Sequence, residues 1–259
     1  MTDYPAELKR LLNIQTDTIA RHTLANGETV WVRKTGKSIP QWRYTLLGLL
    51  AKTFRLGALS PVPNLGGSAA IAIEANRLKT LSAHSIPAPR LLAELSDGLM
   101  FTHLGEHNLL HFLENDTDQL GYWQRGLEAI HAVHRQNQYL SQAFARNIIV
   151  QDNGGIGFID FEDDPGLHLN LTQCQSRDYL CYFQSTCNWL KKRGNLAEAA
   201  IIWQQHRQTL PAETLRQIET TVRPMLWMRR LKARRWGNDT LRLAALAELF
   251  TLAKAPSRC

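Results

Sequence analysis

The sequence lacks any long apolar run, and cysteine is scarce in it. The longest apolar stretch, residues 46–50, is interrupted by Gly48, so nothing approaches the roughly 20 apolar residues of a membrane-spanning helix. The first ten residues carry two acids and two bases and no apolar signal-peptide core. The four cysteines have spacings that fit no common zinc site. We therefore expect a cytoplasmic protein with reduced thiols.

The charge of the chain is positive and unevenly distributed. The formal net charge is +7, with acids dense near Asp160 and bases dense near Arg229. A basic protein tends to bind phosphates, anionic lipid or nucleic acid, and net charge alone does not choose among them. A length of 259 residues suits one large domain or two small lobes.

The first part of the chain has strong β signals. Residues 20–34 predict a hairpin, because Asn26-Gly27 at their centre is a strong turn signal. Residues 41–55 and 69–83 have the apolar spacing of helices. Strands are predicted at residues 90–95 and 99–104, joined by a short turn containing Gly98.

The remainder of the chain is predominantly helical. One β-hairpin is predicted within residues 148–161, around a turn rich in Asn and Gly. The predicted helices are residues 109–113, 120–136, 173–192, 196–208, 212–231 and 240–253. We therefore expect an α+β fold with a small β-rich N-lobe (residues 1–104, with residues 41–55 as an inserted helix) and a larger helical C-lobe (residues 105–259). A ligand cleft is expected between the two.

Two short segments carry the chemistry. Residues 139–150 have the sequence Tyr-Leu-Ser-Gln-Ala-Phe-Ala-Arg-Asn-Ile-Ile-Val, and residues 157–163 have Gly-Phe-Ile-Asp-Phe-Glu-Asp. Together they resemble the catalytic loop, hairpin and metal-binding segment of kinase-fold phosphotransferases. The second segment is most similar to aminoglycoside kinases and to bacterial lipopolysaccharide-core (Kdo or heptose) sugar kinases. The resemblance covers about residues 20–183 and implies a protein-kinase-like two-lobe fold.

The resemblance implies an ATP site that uses Mg²⁺ or Mn²⁺. In the family, an asparagine after the catalytic loop and an aspartate after the hairpin hold the cation, and Asn147 and Asp160 match these positions. Such hard oxygen ligands suit Mg²⁺, and a hairpin between them would bring them face to face. The other interpretations are a surface carboxylate for Asp160 and a turn or cap residue for Asn147.

The family also supplies a strand lysine that contacts phosphate and pairs with a helix glutamate. We predict Lys34 for this role, because strand alternation places it on the face of two valines, whereas Arg33 shares a face with the bulky Trp31. Glu74 is the predicted partner, as the only acid among residues 29–93. The other interpretations are a solvated base at a strand end and an exposed helix glutamate.

The catalytic loop departs from the family at its most important position. The pattern is His-x-Asp, four residues and Asn, and counting back five residues from Asn147 gives Gln142. An amide cannot accept a proton near pH 7. Gln142 could still position the acceptor, another carboxylate such as Asp163 could act as base, or the protein could be a pseudokinase. Residues 11–20 also contain no glycine, so a Gly-rich phosphate loop is missing.

Three further residues are expected to support the loop. Asp178 resembles a family aspartate that braces the catalytic loop. His131 and His134 lie on the preceding helix and lack a third metal ligand. We therefore expect them to pack or to brace the loop.

Two basic segments contain aromatic residues, namely residues 40–55 and 225–236. Arg, Lys and Trp on an amphipathic helix suit an anionic membrane surface, and the other interpretation is a solvated face over a buried stripe. No nucleic-acid recognition motif accompanies them. The resemblance implies an ATP-dependent phosphotransferase acting on a sugar or lipid-linked saccharide, and the basic segments add the expectation that it is peripheral at the cytoplasmic membrane face. The alternative is a pseudokinase that binds nucleotide or a partner protein without transfer.

Overall fold

The computed structural model describes residues 2–36, 66–231 and 233–254. Within these residues helices predominate and two small antiparallel sheets accompany them, so the expected α+β class is confirmed. The predicted helix at residues 41–55 lies outside the described residues. No helix in the described ranges is long and apolar enough to cross a membrane.

The first sheet has four strands in the order β1-β2-β4-β3. The strands are β1 (Ile19–Thr23), β2 (Thr29–Lys34), β3 (Leu91–Leu95) and β4 (Gly98–Thr102), and every neighbouring pair is antiparallel. Both predicted hairpins are therefore confirmed. The turn between β1 and β2 uses Gly27 at a φ of 82°, a conformation that glycine adopts without steric cost.

Two helices cover opposite faces of this sheet. Helix α1 (Tyr4–Ile14) packs its leucines against the face that carries Val30 and Val32, and this forms a separate small core. Helix α2 (Gly67–Ala83) belongs to the main core together with Leu99 and Phe101. Helix α1 was not predicted. Its signals were present, however, because Asp3 accepts a hydrogen bond from the backbone of the first turn and three leucines follow at helical spacing.

The second sheet has three short strands. They are β5 (His107–Asn108), β6 (Ile148–Val150) and β7 (Ile156–Phe158), in that order across the sheet. The predicted β6–β7 hairpin is confirmed, and a 3₁₀ turn, Ala145–Asn147, leads directly into it. This arrangement fixes the two ends of the hairpin next to each other.

The remaining described residues form a helical body around the helix Leu171–Lys192. Its helices are α3 (Leu109–Asn115), α4 (Gln119–His134), α5 (Leu171–Lys192), α6 (Leu196–His206), α7 (Ala212–Val222) and α8 (Asn238–Leu252). Helix α5 begins at a capping box formed by Asn170 and Gln173. Its buried Phe183 packs against Trp203 of α6 and Phe250 of α8. The aromatic rings therefore join the helices into one core.

The predicted helix at residues 212–231 does not continue to its end. The α-helix stops at Val222, and a 3₁₀ helix, Arg223–Arg230, follows. Pro224 explains the change, because proline has no N–H to donate and its ring clashes with the preceding turn of an α-helix. A short second 3₁₀ turn, Arg234–Trp236, precedes α8.

Candidate functional site

A cavity of about 390 Å³ lies between the four-stranded sheet and the helical body. This size is ordinary for a small-molecule site. Trp31, Phe101 and Ile149 contribute apolar wall, and the connection that follows β4 forms the rim. The polar lining includes Arg33, Glu74, Asn147 and Asp160. One end of the cavity thus suits a flat apolar ring, and the other offers charged groups.

The connection after β4 lies very close to the second sheet. A Cβ atom on Gly105 would come within 2.8 Å of the Ile149 side chain, so a side chain at this position would force the connection away. Trp31 is also fixed at the rim, because its indole N–H donates to His103 Nδ1 at 3.0 Å. The rim is therefore fixed by close packing at Gly105 and by the hydrogen bond between Trp31 and His103.

The structure brings Asn147 and Asp160 together. Asn147 Nδ2 lies 3.2 Å from Asp160 Oδ2 and also donates to the backbone oxygen of Gln142 at 3.1 Å. Asn147 Oδ1 receives no hydrogen bond from the part of the chain that the structure describes. Asp160 has a φ of 73°, a conformation that costs a non-glycine residue free energy and is concentrated at functional sites. The amide and the carboxylate are thus held side by side at the cavity.

Arg33 occupies the centre of a group of carboxylates. Its Nε lies 2.8 Å from Glu74 Oε2, its Nη1 lies 2.6 Å from Glu162 Oε2, and its Nη2 lies 3.8 Å from Asp160 Oδ1. The Arg33 side chain is 14% exposed and that of Glu74 only 3%. One guanidinium therefore faces three carboxylates, of which Glu74 is shielded from water while Asp160 and Glu162 are 28% and 35% exposed.

The prediction that Lys34 pairs with Glu74 is wrong. Lys34 Nζ instead donates to the backbone oxygens of Leu12 and Gln15, at 2.9 and 3.2 Å. These carbonyls lie at the C-terminal end of α1, where a cation is favourable. The physical reason is that α1 covers the face of β2 that carries Lys34. The opposite face meets the cavity, and Arg33 lies on it.

Burial controls the charge state of Glu74. Desolvation raises the pKa of its carboxyl to about 7, the negative charges of Asp160 and Glu162 add to the increase, and Arg33 opposes it. Glu74 is thus the helix acid that the sequence indicated, and its ion pair with the strand is formed by Arg33.

A buried carboxylate lies beside the amide that replaces the usual catalytic aspartate. Gln142 Nε2 donates to Asp163 Oδ2 at 2.5 Å, while Asp163 Oδ1 is buried without a hydrogen-bond partner among the described residues. Burial, followed by the charge of Glu162, raises the pKa of Asp163 to about 6, although the Gln142 hydrogen bond lowers it. Asp163 could therefore accept a proton at neutral pH, and Gln142 could not.

Tyr139 joins the loop to both of its neighbours. Its hydroxyl donates to Asp164 Oδ1 at 2.6 Å. Arg77 of α2 donates to the Tyr139 carbonyl at 2.7 Å and lies 4.1 Å above the tyrosine ring. Neither role was predicted from the sequence. The available signal was that Arg77 follows Glu74 by one helical turn.

Asp178 braces the loop as expected. It is fully buried and accepts hydrogen bonds from the backbone N–H of Leu140 at 2.8 Å and from His134 Nε2 at 2.9 Å. Burial raises the pKa of Asp178, and the His134 hydrogen bond opposes the increase. His131 packs nearby and shares a hydrogen bond with Tyr179. The loop before Gln142 is thereby fixed to α4 and α5.

The donor set suits a hard cation that keeps most of its own water. In the ranges that the structure describes, no three His, Cys, Asp or Glu side chains are grouped so that they could hold a metal ion. Asn147 and Asp160 offer an amide and a carboxylate oxygen, and Mg²⁺ is commonly bound by one or two carboxylates together with water and phosphate oxygens. The residues present are therefore compatible with Mg²⁺ or Mn²⁺ held mainly by water and by oxygen atoms from outside the chain.

No protein-family model matches the chain, and no curated protein matches it significantly. The side chains of the cavity therefore carry the functional evidence.

Proposed function

We propose that the chain is a kinase-like phosphotransferase that binds ATP in the cavity and transfers its terminal phosphoryl group to a sugar or lipid-linked saccharide. The observation that carries the proposal is the contact between Asn147 and Asp160 at 3.2 Å, next to the Arg33–Glu74 ion pair. Residues 1–104 and 105–259 would be the two lobes of a kinase-like fold. The saccharide acceptor rests on the resemblance of residues 157–163 to sugar kinases.

The charged end of the cavity is suited to hold a nucleotide with a divalent cation. Asn147 Oδ1 and the Asp160 carboxylate would bind Mg²⁺ or Mn²⁺, which when present neutralises charge on the phosphate oxygens. Arg33 would contact phosphate, and its contact with Asp160 is its longest at 3.8 Å. If phosphate replaced Asp160 beside the guanidinium, Arg33 would keep its closer interactions with Glu74 and Glu162.

Asp163 would supply the base that the sequence pattern lacks. The acceptor hydroxyl would give its proton to Asp163 as its oxygen forms the new P–O bond, while the bond between the terminal phosphorus and ADP breaks. Gln142 would orient Asp163 through their hydrogen bond. Because the pKa of Asp163 is about 6, most of it is ionised at neutral pH.

The second candidate is a pseudokinase. The amide at position 142 and the lack of glycine in residues 11–20 both favour a protein that binds nucleotide, or a partner protein, without transfer. In that case Arg33 and its three acids would form a regulatory site, and no acceptor would be consumed.

The nucleotide site is tested by thermal unfolding with ATP, alone and with Mg²⁺ or Mn²⁺. At a ligand concentration of about 100 Kd the folded state gains about 2.7 kcal/mol, which raises Tm by several degrees. Asp160→Asn is expected to remove the cation-dependent part of this rise. Asp152→Asn, an exposed change in the turn of the same hairpin, should leave it intact. If ATP left the wild-type Tm unchanged with and without each cation, the proposed nucleotide site would be refuted.

Turnover separates the two candidates. We expect the wild type to consume ATP faster when a lipopolysaccharide-core saccharide is added, and Asp160→Asn to lose this response. Binding of ATP without turnover by the wild type would instead establish the pseudokinase, and the Gln142→Asp variant should then gain some turnover of ATP.

A further inference from the structure

The 3₁₀ helix after α7 has one exposed edge. With three residues per turn, side chains at i and i+3 lie above one another, so Pro224, Trp227 and Arg230 lie along one edge. All three are exposed, and Trp227 is 58% exposed. The opposite edge carries Met225, which is buried, and Met228, which packs against the core. The helix is therefore fixed with its Arg–Trp edge towards solvent.

The next segment also has exposed aromatic and basic side chains. Trp236 is 46% exposed, and the guanidinium of Arg235 lies 5.3 Å above its ring. Leu252, which is 40% exposed, lies beside Arg230 in a shallow cavity. We define the Arg–Trp surface as the side chains of Trp227, Arg230, Arg235, Trp236 and Leu252.

The Arg–Trp surface carries an excess of positive charge. Residues 223–236 contain six bases and no acid. The two acids of α8 already have partners, since Asp239 pairs with Arg242 at 3.0 Å and Glu248 pairs with Lys191 at 2.5 Å. Among the described residues, no carboxylate lies within ion-pair distance of Arg230 or Arg235. An anionic partner would therefore meet free cations.

We propose that the Arg–Trp surface binds a membrane surface that contains anionic phospholipid. Indole rings with one polar edge are favoured at the boundary between headgroups and acyl chains, and arginine binds lipid phosphate through paired hydrogen bonds. A lipid surface would cover the two exposed indoles and the leucine. A free phosphate ligand would contact only the arginines and would leave these apolar side chains in water.

Single-stranded nucleic acid fits the surface less well. It binds in a basic groove that follows its backbone and stacks its bases on aromatic rings. Here the cavity beside Arg230 is shallow and includes the apolar Leu252, so the described residues form no basic groove that a nucleic-acid backbone could follow. The proposal does not depend on phosphotransfer, because a pseudokinase could bind a membrane in the same way.

The test is sedimentation of the full-length protein with vesicles of phosphatidylcholine, with and without phosphatidylserine. We expect binding to the anionic vesicles alone, weakened by salt, with a blue shift of tryptophan fluorescence. Each arginine near an anionic surface is worth roughly fivefold in affinity, so Arg230→Gln with Arg235→Gln should weaken binding by roughly tenfold or more. Trp227→Ser with Trp236→Ser should reduce the binding that remains at high salt.

The matched control removes the same charge elsewhere. Arg10→Gln with Arg90→Gln changes two exposed arginines of the N-terminal part and should leave vesicle binding within about twofold, the loss expected from weak long-range charge effects. Equal binding of neutral vesicles, or unchanged binding by the Arg230 and Arg235 variant, would overturn the proposal. So would binding to a single-stranded oligonucleotide, sensitive to the same substitutions, in the absence of vesicle binding.

Discussion

Replacing Asp163 by asparagine is expected to slow phosphoryl transfer from ATP by about 10²- to 10⁴-fold, the usual contribution of a general base. Asparagine has nearly the same shape and can still accept the Gln142 hydrogen bond, but it cannot take the proton. The measurement is steady-state release of ADP, with water or a lipopolysaccharide-core saccharide as acceptor. Asp152→Asn, in an exposed turn, is the control and should keep the wild-type rate.

The pH dependence gives this prediction a second readout. Because the pKa of Asp163 is about 6, the wild-type kcat/KM should fall as the pH drops below about 6, where the base becomes protonated. The asparagine variant should lose that limb. The stability of the wild type should change in the opposite sense. Because the pKa of Asp163 is raised from 3.8 to about 6, the folded state should lose stability as the pH rises from about 4 to about 6, and the asparagine variant should lack this loss. A variant of unchanged rate would exclude Asp163 as the base.

Replacing Arg33 by methionine should destabilise the protein by about 3–5 kcal/mol at about pH 8, the usual cost of leaving a buried charge unpaired. Glu74 loses its partner at 2.8 Å while the charges of Asp160 and Glu162 remain. The loss should be smaller at about pH 5. The pKa of Glu74 is raised from 4.5 to about 7, so its carboxyl is largely protonated and uncharged at about pH 5. The protonated carboxyl stabilises the fold at that pH, and this contribution is lost as the pH rises from about 4.5 to about 7. Urea unfolding at both pH values measures this.

Two variants control for the Arg33 result. Arg21→Met breaks an exposed pair with Glu106, whose side chains are 44% and 52% exposed, and should cost no more than about 1 kcal/mol. Glu74→Gln combined with Arg33→Met should recover much of the stability, because no buried charge is then left without a partner. Equal losses for Arg21→Met and Arg33→Met would show that the Arg33 ion pairs contribute little.

Local signals predicted most of the secondary structure. Asn26-Gly27 correctly predicted one hairpin, and the Asn-Gly turn after Val150 predicted another. The reason is that glycine at positive φ allows these tight turns. The predicted end of α7 was wrong, although Pro224 was a signal for an earlier end. Helical spacing continues through Arg223–Arg230, and the missing N–H of one proline outweighs it.

The candidate site was less predictable, because it depends on which face of a strand is covered. Alternation along β2 separates Arg33 from Lys34, but only the position of α1 decides which of them meets the cavity. Asn147 and Asp160 could be paired from their spacing, since a hairpin returns the chain to its start. The Gln142–Asp163 hydrogen bond joins side chains 21 residues apart, and no sequence pattern specifies it.

Tyr139 joins helix α2 to the segment that contains Asp163. A phosphate that replaced Asp160 beside the Arg33 guanidinium would leave the Arg33–Glu74 ion pair in place, so α2 would keep its position. One turn further along the same helix, Arg77 donates to the Tyr139 carbonyl, and the Tyr139 hydroxyl donates to Asp164. The spacing between Arg33 and the segment next to Asp163 would thus change little when a nucleotide binds.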